Sequence, residues 1–222
     1  DVCSSDLFDP VADITPVIQL SQGPLLIVAH PALPVTGVRD LIALARACPD
    51  QLAYASGGTG GIIHLATALF IDKAGLKIIH VPYKGLGPAL TDLVAGQVQV
   101  LFGSITATLP QVKAGRLRLL AVTTPKRSGA APEIPTVDES GLKDYAVTQW
   151  HGLLAPKGLP KAILNRMNEE LNRIVLSRDM QEKLAGDGVE AAGGTPEKFA
   201  ALVKAEIDQW RSVVQKAGVK PE

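Results

Sequence analysis

The sequence predicts an α/β fold with twisted, mainly parallel sheets flanked by helices. Apolar runs of strand length alternate with segments of helical periodicity between residues 33 and 123. The 21 Gly and 16 Pro suit the tight turns that join such units, whereas aromatic residues make up only 4% of the chain. A length of 222 residues is compatible with one domain or with two lobes.

The first predicted unit is a buried strand followed by a helix. The run Leu25–Ala29 is apolar throughout, and Pro31 and Pro34 then interrupt regular structure. Thr36 is placed to cap a helix that Pro49 ends. The apolar face of this helix comprises Val38, Leu41, Ile42 and Ala45.

Two strand–turn–helix units follow. Leu52–Ala55 is a short strand that leads through the Gly-rich segment Ser56–Gly61 into a helix. Ile78–Val81 is another strand, which ends in Pro82–Gly85, and a helix is expected to begin near Pro88. The apolar face of the first of these helices comprises Ile62, Leu65, Ala66, Leu69 and Phe70.

Two further strands and a helical C-terminal third complete the prediction. The strands are Val98–Phe102 and Leu117–Thr123, separated by a short helix, and Thr136 with Glu139 has the spacing of a capping box. Two amphipathic helices are expected to pack against the core. Their apolar residues are Ile163, Met167, Leu171 and Ile174 in one, and Phe199, Val203, Ile207 and Trp210 in the other.

Composition excludes several classes of function. Lys plus Arg and Asp plus Glu number 22 each, so the chain lacks the basic field that attracts nucleic acid. The longest apolar runs are far shorter than the about 20 residues of a membrane helix, and direct membrane insertion is not expected. Cys3, Cys48 and the four scattered histidines have no metal-binding or redox spacing, so we expect no metal site and no cofactor.

The segment Ser56–Gly61, hereafter the glycine loop, is the first candidate site. A Gly-rich turn between a strand and a helix lets backbone N–H groups approach an anion, and the helix dipole adds partial positive charge there. The loop lacks the Lys-Ser/Thr ending of a phosphate-binding loop and does not fit the dinucleotide fingerprint. A plain tight turn remains the alternative interpretation.

The segment Pro82–Gly85, hereafter the lysine loop, is the second candidate. It also joins a strand to a helix, at the sheet edge where ligands bind in parallel α/β folds. The alternative is that Tyr83 packs internally and Lys84 is simply exposed. His64, in the first turn after the glycine loop, could contact an anion or brace the loop. No nucleophile elbow surrounds Ser56, and no catalytic residue is predicted.

Taken together, eight segments in a fixed order resemble one family, the substrate-binding proteins of tripartite tricarboxylate transporters. These are also known as Bug proteins and are periplasmic type II binding proteins of bacteria. The segments are residues 8–10, 54–61, 80–85, 88–93, 114–123, 134–137, 150–156 and 194–196.

The resemblance implies a clamshell of two lobes that closes on a small carboxylate and delivers it to the permease subunits of the transporter. It also implies a periplasmic location and a monomer when the protein is intact. The predicted ligand-binding residues are Ser56, Gly57, Gly58, Thr59, Gly60, His64, Tyr83, Lys84, Gly85 and Ser104.

The resemblance assigns residues 8–30 and 120–222 to lobe 1 and residues 31–119 to lobe 2. Residues 1–7 match nothing in the family and are interpreted as a non-native leader. The family's first strand and its Pro- and Gly-rich loop have no counterpart, so lobe 1 is expected to be incomplete and to lack its export signal. Members often carry an acidic residue where this chain has Gly103.

A second class of function stays open from the residues alone. The same fold can carry an enzyme or a ligand-sensing module. An enzyme requires titratable residues that converge in the cleft, and a sensor requires an attached signalling segment. The sequence offers neither pattern, which favours the receptor.

Overall fold

A computed structural model describes Asp9 and residues 11–218, which divide into two compact units. Within the described residues, the first unit comprises those up to Gln22, Trp150–Ala185 and Glu190–Gln209. The second comprises Gly23–Gln149, Gly186–Val189 and the described residues from Trp210 onward. The predicted leader at residues 1–7, with Cys3, lies outside the described residues.

The chain alternates strands and helices over most of its length. The strands are β1 Ile14–Ala29, β2 Ala53–Ser56, β3 Ile79–Pro82, β4 Val100–Ser104, β5 Arg118–Val122, β6 Thr148–Pro156 and β7 Glu190–Ala191. The helices are α1 Val38–Ala47, α2 Ile62–Ala74, α3 Leu86–Val94, α4 Ile105–Lys113, α5 Lys161–Val175, α6 Arg178–Gly186 and α7 Pro196–Ala217.

The sheet of the second unit has the strand order β3-β2-β4-β1-β5 and is mixed. β2 is parallel to both β3 and β4, as the alternation of strands and helices predicts. β1 runs antiparallel to β4 and to β5. β2, β3, β4 and β5 therefore run in the same direction, as expected for a mainly parallel sheet. β1 runs in the opposite direction, so two of the four pairs of neighbouring strands are antiparallel.

Both faces of this sheet are covered, which explains the continuous apolar run of β1. Leu25, Ile27 and Ala29 belong to one hydrophobic cluster, whereas Leu26 and Val28 belong to the other. Successive side chains of a strand point to opposite faces, so a strand buried on both sides must be apolar at every position. All five residues are completely buried.

Three aromatic residues occupy the centre of one cluster. The ring of Phe70 meets Phe102 at a centroid distance of 5.4 Å and Tyr145 at 5.9 Å, both in edge-to-face geometry. The Tyr145 hydroxyl donates a 2.9 Å hydrogen bond to the carbonyl of Ala66. This contact fastens the segment before β6 to α2, the helix that follows the glycine loop.

In the first unit, β1 pairs with β6 and β7 beside helices α5, α6 and most of α7. Phe199 of α7 is buried and meets Trp150 edge-to-face at 5.2 Å. The apolar face of α5 differs from its prediction as a packing face, because Ile163 and Ile174 are each about half exposed, at 49% and 48%. Within the described part of the chain, no helix combines the length and the apolarity of a membrane span.

Local details correct two helix predictions. Thr36 is not the cap of α1; Gly37 occupies that position, and the Thr36 hydroxyl instead donates to Asp40 at 2.6 Å. Thr136 and Glu139 do exchange the two hydrogen bonds of a capping box, at 2.8 and 3.1 Å, but within a turn rather than a helix.

The boundaries between the units also differ from the predicted lobes. The chain passes from the first unit to the second between residues 22 and 23 and returns between 149 and 150, whereas the prediction placed these boundaries after residues 30 and 119. The physical reason is that the buried half of β1 pairs with β4 and β5, and so belongs to the second unit.

We predict that Phe70→Ala lowers the free energy of unfolding by about 3–5 kcal/mol, because it leaves a cavity among rings that cannot collapse to fill it. Ile79→Ala is the control, since Ile79 is 48% exposed on an edge strand and should cost less than about 2 kcal/mol. Urea unfolding followed by circular dichroism measures both values, and equal losses would contradict the packing described.

Candidate functional site

Three strands end at one edge of the sheet in the second unit. In the parallel ladders, Ser56 is paired with Pro82 of β3, and Ala55 with Leu101 of β4. The ends of β2, β3 and β4 therefore lie side by side, and each continues directly into a loop or a helix. This is the edge at which open parallel sheets bind their ligands.

Hydrogen bonds join the glycine loop to the lysine loop. The N–H of Tyr83 donates to the carbonyl of Ser56, and the N–H of Gly85 donates to the carbonyl of Gly57, each at 3.0 Å. A Cβ at Gly57 would lie 3.3 Å from the carbonyl carbon of Gly85, so the close approach of the two backbones favours glycine there. The structure thus brings both predicted loops together.

The glycine loop adopts a conformation that requires glycine. Gly58 and Gly60 have φ angles of +138° and +78°, a region that residues with a Cβ rarely occupy. The Ser56 hydroxyl, which is completely buried, accepts a hydrogen bond from the N–H of Gly58 at 3.2 Å. This conformation leaves other N–H groups of the loop without an acceptor among the described residues.

Unpaired N–H groups are concentrated in this loop. The N–H groups of Gly57, Thr59 and Gly61 donate to no acceptor among the described residues. Gly61 is also the N-cap of α2, and no side chain caps that helix, so the N–H groups of its first turn are available as well. Such a loop, at the positive end of a helix dipole, favours a bound anion.

Two histidines hold the glycine loop near its two ends. Nδ1 of His64 accepts a 3.0 Å hydrogen bond from the N–H of Gly60, and Nε2 of His80 lies 2.7 Å from the Ser56 hydroxyl. The two imidazole rings stack with centroids 4.0 Å apart and planes 11° from parallel. Tyr54 stacks with both rings, with its centroid 4.8 Å from that of His80 and 6.3 Å from that of His64.

Burial makes this stack electrically neutral. Burial and the neighbouring His64 lower the pKa of His80 to about 4, and burial also lowers the pKa of His64. Burial raises the pKa of Tyr54. Sequence reasoning named His64 but missed His80 and Tyr54. The sequence did contain a signal for them. Alternate residues of a strand share a face, so Tyr54 lies on the same face as Ser56, and His80 on the same face as Pro82.

The residues of the lysine loop have distinct environments. The Tyr83 hydroxyl donates to Asp92 at 2.8 Å, and partial burial together with this bond raises the pKa of Tyr83 to about 12. Because the Tyr83 N–H also has a partner, both of its donors are used within the protein. Lys84 is exposed, and no described carboxylate forms an ion pair with it.

Ser104 lies at the end of β4 and is the N-cap of α4. Its carbonyl accepts a 2.7 Å hydrogen bond from the buried Thr108 hydroxyl, and no hydrogen bond joins it to the glycine loop within the described part of the chain. At Gly103, a Cβ would lie 2.2 Å from the Thr108 methyl group. An acidic side chain at this position would therefore have no space in this chain.

Across residues 9 and 11–218, no three His, Cys, Asp or Glu side chains gather as a metal site requires. The two histidines of the stack each contact the glycine loop through one ring nitrogen.

The sequence is similar to known proteins over nearly its whole length. Residues 5–219 match the sequence model of the tripartite tricarboxylate transporter family receptor. A UPF0065 protein in the tcbD-tcbE intergenic region of Pseudomonas sp. strain P51 is 37% identical over 203 residues, which are 91% of this chain and 60% of that protein. Protein BugT of Bordetella pertussis is 33% identical over 94% of this chain and 64% of its own length.

Several solved structures are also similar to this chain in fold and in sequence. R. palustris Rpa4515 with adipate has a TM-score of 0.90 and 38% identity, covering 97% of this chain and 72% of that one. The periplasmic binding protein BugD has a TM-score of 0.87 and 31% identity, with coverage of 97% and 73%. MatC from Rhodopseudomonas palustris with bound malate has a TM-score of 0.86 and 28% identity, with coverage of 96% and 73%.

These relatives confirm the predicted fold class, which is the α/β fold of periplasmic binding proteins. The chain spans about three fifths of the length of the curated relatives it matches. The family match covers almost every residue in order, including both loops at the sheet edge. The chain belongs to the tripartite tricarboxylate transporter receptor family.

Proposed function

We propose that this protein is a periplasmic receptor that binds a small carboxylate at the glycine loop for a tripartite tricarboxylate transporter. The observation that carries the proposal is the set of unpaired N–H groups of Gly57, Thr59 and Gly61 beside the uncapped start of α2. Backbone N–H groups in this arrangement bind a carboxylate without a dedicated charged side chain. The formal net charge of zero is consistent with recognition by such local geometry.

Two relatives support the chemical class of the ligand. The structures of Rpa4515 and MatC hold adipate and malate, which are both dicarboxylates. For this chain we infer that one carboxylate group of the ligand binds at the glycine loop. Ser56, Gly58 and Gly60 maintain the conformation of that loop. The permease subunits of the transporter follow from the family as the partner that receives the ligand.

The lysine loop has a supporting role in this proposal. Tyr83 and Gly85 fix the glycine loop through their backbone bonds to Ser56 and Gly57. Lys84 contributes a flexible positive charge, which attracts a carboxylate over a distance but does not hold it in a fixed geometry. Ser104, at the end of β4, is the most peripheral member of the proposed site.

We predict that Gly58→Val abolishes the thermal stabilisation produced by adipate or malate, and weakens binding at least about tenfold. Valine cannot adopt the φ angle of +138° without strain, so the N–H groups on either side must turn away. Gly115→Val is the matched control, because Gly115 also has a positive φ, +68°, but lies outside both loops. Thermal shift with each acid measures the effect, and retained stabilisation in Gly58→Val would remove the loop from the site.

We predict that Lys84→Met weakens binding by about two- to fivefold, the range expected for an exposed charge. The dependence of affinity on ionic strength should become flatter, because salt screens the attraction that the variant has lost. Calorimetry with adipate between low and high salt tests this, with Lys77→Met as a control on another exposed lysine. A complete loss of binding would mean that Lys84 is a principal contact.

A further inference from the structure

The imidazole pair contacts the glycine loop at two separate points. His80 bonds to the side chain of Ser56, where β2 ends, and His64 bonds to the N–H of Gly60, just before α2 begins. Because the rings are stacked 4.0 Å apart, the two points are also connected to each other. The loop is thus supported from the sheet and from the helix by a single rigid unit.

We propose that His64 and His80 are positioning residues, which hold the glycine loop in its binding conformation, and that this support requires an uncharged His64. The proposal rests on the proposed function in one respect, namely that the conformation they maintain is the one that binds a carboxylate. Neither ring is assigned a direct contact with the ligand, so the role of His64 differs from that of a binding residue.

The hydrogen bonds require the neutral form of His64. Its Nδ1 accepts from the Gly60 N–H, so that nitrogen carries no proton and the proton of the ring lies on Nε2. Protonation of Nδ1 would place two donors opposite each other 3.0 Å apart, and the Gly60 N–H would have to move away. Two charged rings stacked at 4.0 Å would also repel each other.

Two charged groups among the described residues line the cavity beside the stack. Tyr54 of β2 stacks with both imidazoles, and the pair opens onto this cavity of about 740 Å³, which Thr59 also lines. Across this cavity are Asp72 of α2 and Lys216 of α7, whose charged atoms are 3.5 Å apart. Their opposite charges largely offset each other, and the cavity gives water and protons access to the rings.

The direction of the pH dependence follows from the lowered pKa values. In the unfolded chain both imidazoles take up a proton near pH 6.5, whereas in the folded protein the pKa of His80 is about 4 and that of His64 is also lowered. The unfolded state therefore binds more protons between these values. The support is complete above about pH 6.5 and is lost as the pH falls through the lowered pKa values of the folded protein.

The test distinguishes the contribution of the His64 hydrogen bond from the contribution of its stacked ring. His64→Asn keeps an acceptor the same number of bonds from the backbone but cannot titrate, whereas His64→Phe keeps a stacked ring without an acceptor. Amide exchange of Gly60, measured by NMR from pH 8 to pH 4 without ligand and corrected for intrinsic exchange, should be about three- to tenfold faster in His64→Phe at pH 8. In His64→Asn it should stay near the wild-type rate.

Acidification should abolish the protection of Gly60 in the wild type but not in His64→Asn. His80→Gln, which retains an acceptor at the position of Nε2, is the equivalent variant for the other ring. Equal exchange in wild type and His64→Phe at pH 8, or a parallel loss of protection on acidification in wild type and His64→Asn, would overturn the proposal.

Adipate affinity at pH 8 and pH 4.5 gives the second readout, with His64→Asn correcting for protonation of adipate itself. We expect affinity to fall more steeply in the wild type than in His64→Asn as the pH decreases. An affinity that rises on acidification relative to His64→Asn would overturn the proposal, because it would mean that a charged ring attracts the carboxylate. If adipate binds no variant at pH 8, the proposed function fails while the exchange measurement still decides the role of the histidines.

Discussion

The parallel register of β2 with β3 and β4 is the constraint on which the candidate site depends. It places the ends of three strands at one edge of the sheet, and it continues beyond the strands through the bonds from Tyr83 to Ser56 and from Gly85 to Gly57. A slip of one residue between β2 and β3 would place the side chains of Tyr54 and His80 on opposite faces. The glycine loop would then lose its support from the sheet.

The fold was predictable wherever the sequence carries a local signal. The apolar run Leu25–Ala29 and the helical periodicity after Gly61 both correspond to observed elements. The first half of β1 gave no such signal, because polar residues such as Gln19 and Ser21 interrupt it. Helix α6 has no buried residue and hence no apolar stripe to detect. The antiparallel direction of β1 depends on contacts with β4 and β5, which are distant in sequence.

The candidate site was predictable in its backbone and less so in its side chains. Glycine spacing between a strand and a helix indicates an anion site because the physical cause, free N–H groups at a helix start, is local. His80 is 24 residues from Ser56, and only the pairing of β2 with β3 brings them together. His64 is four residues from Gly60, so its bracing role was one of the two interpretations that the sequence allowed.

The contact between Gly103 and Thr108 constrains the order in which these two positions can change during evolution. Any side chain added at position 103 meets the methyl group of a buried threonine whose hydroxyl is bonded to Ser104. An acidic residue there would be rejected until position 108 had first become smaller. Thr108→Ala alone removes only one hydrogen bond and is the more tolerable first step. The two positions therefore form an epistatic pair, in which a smaller residue at 108 must precede a larger one at 103.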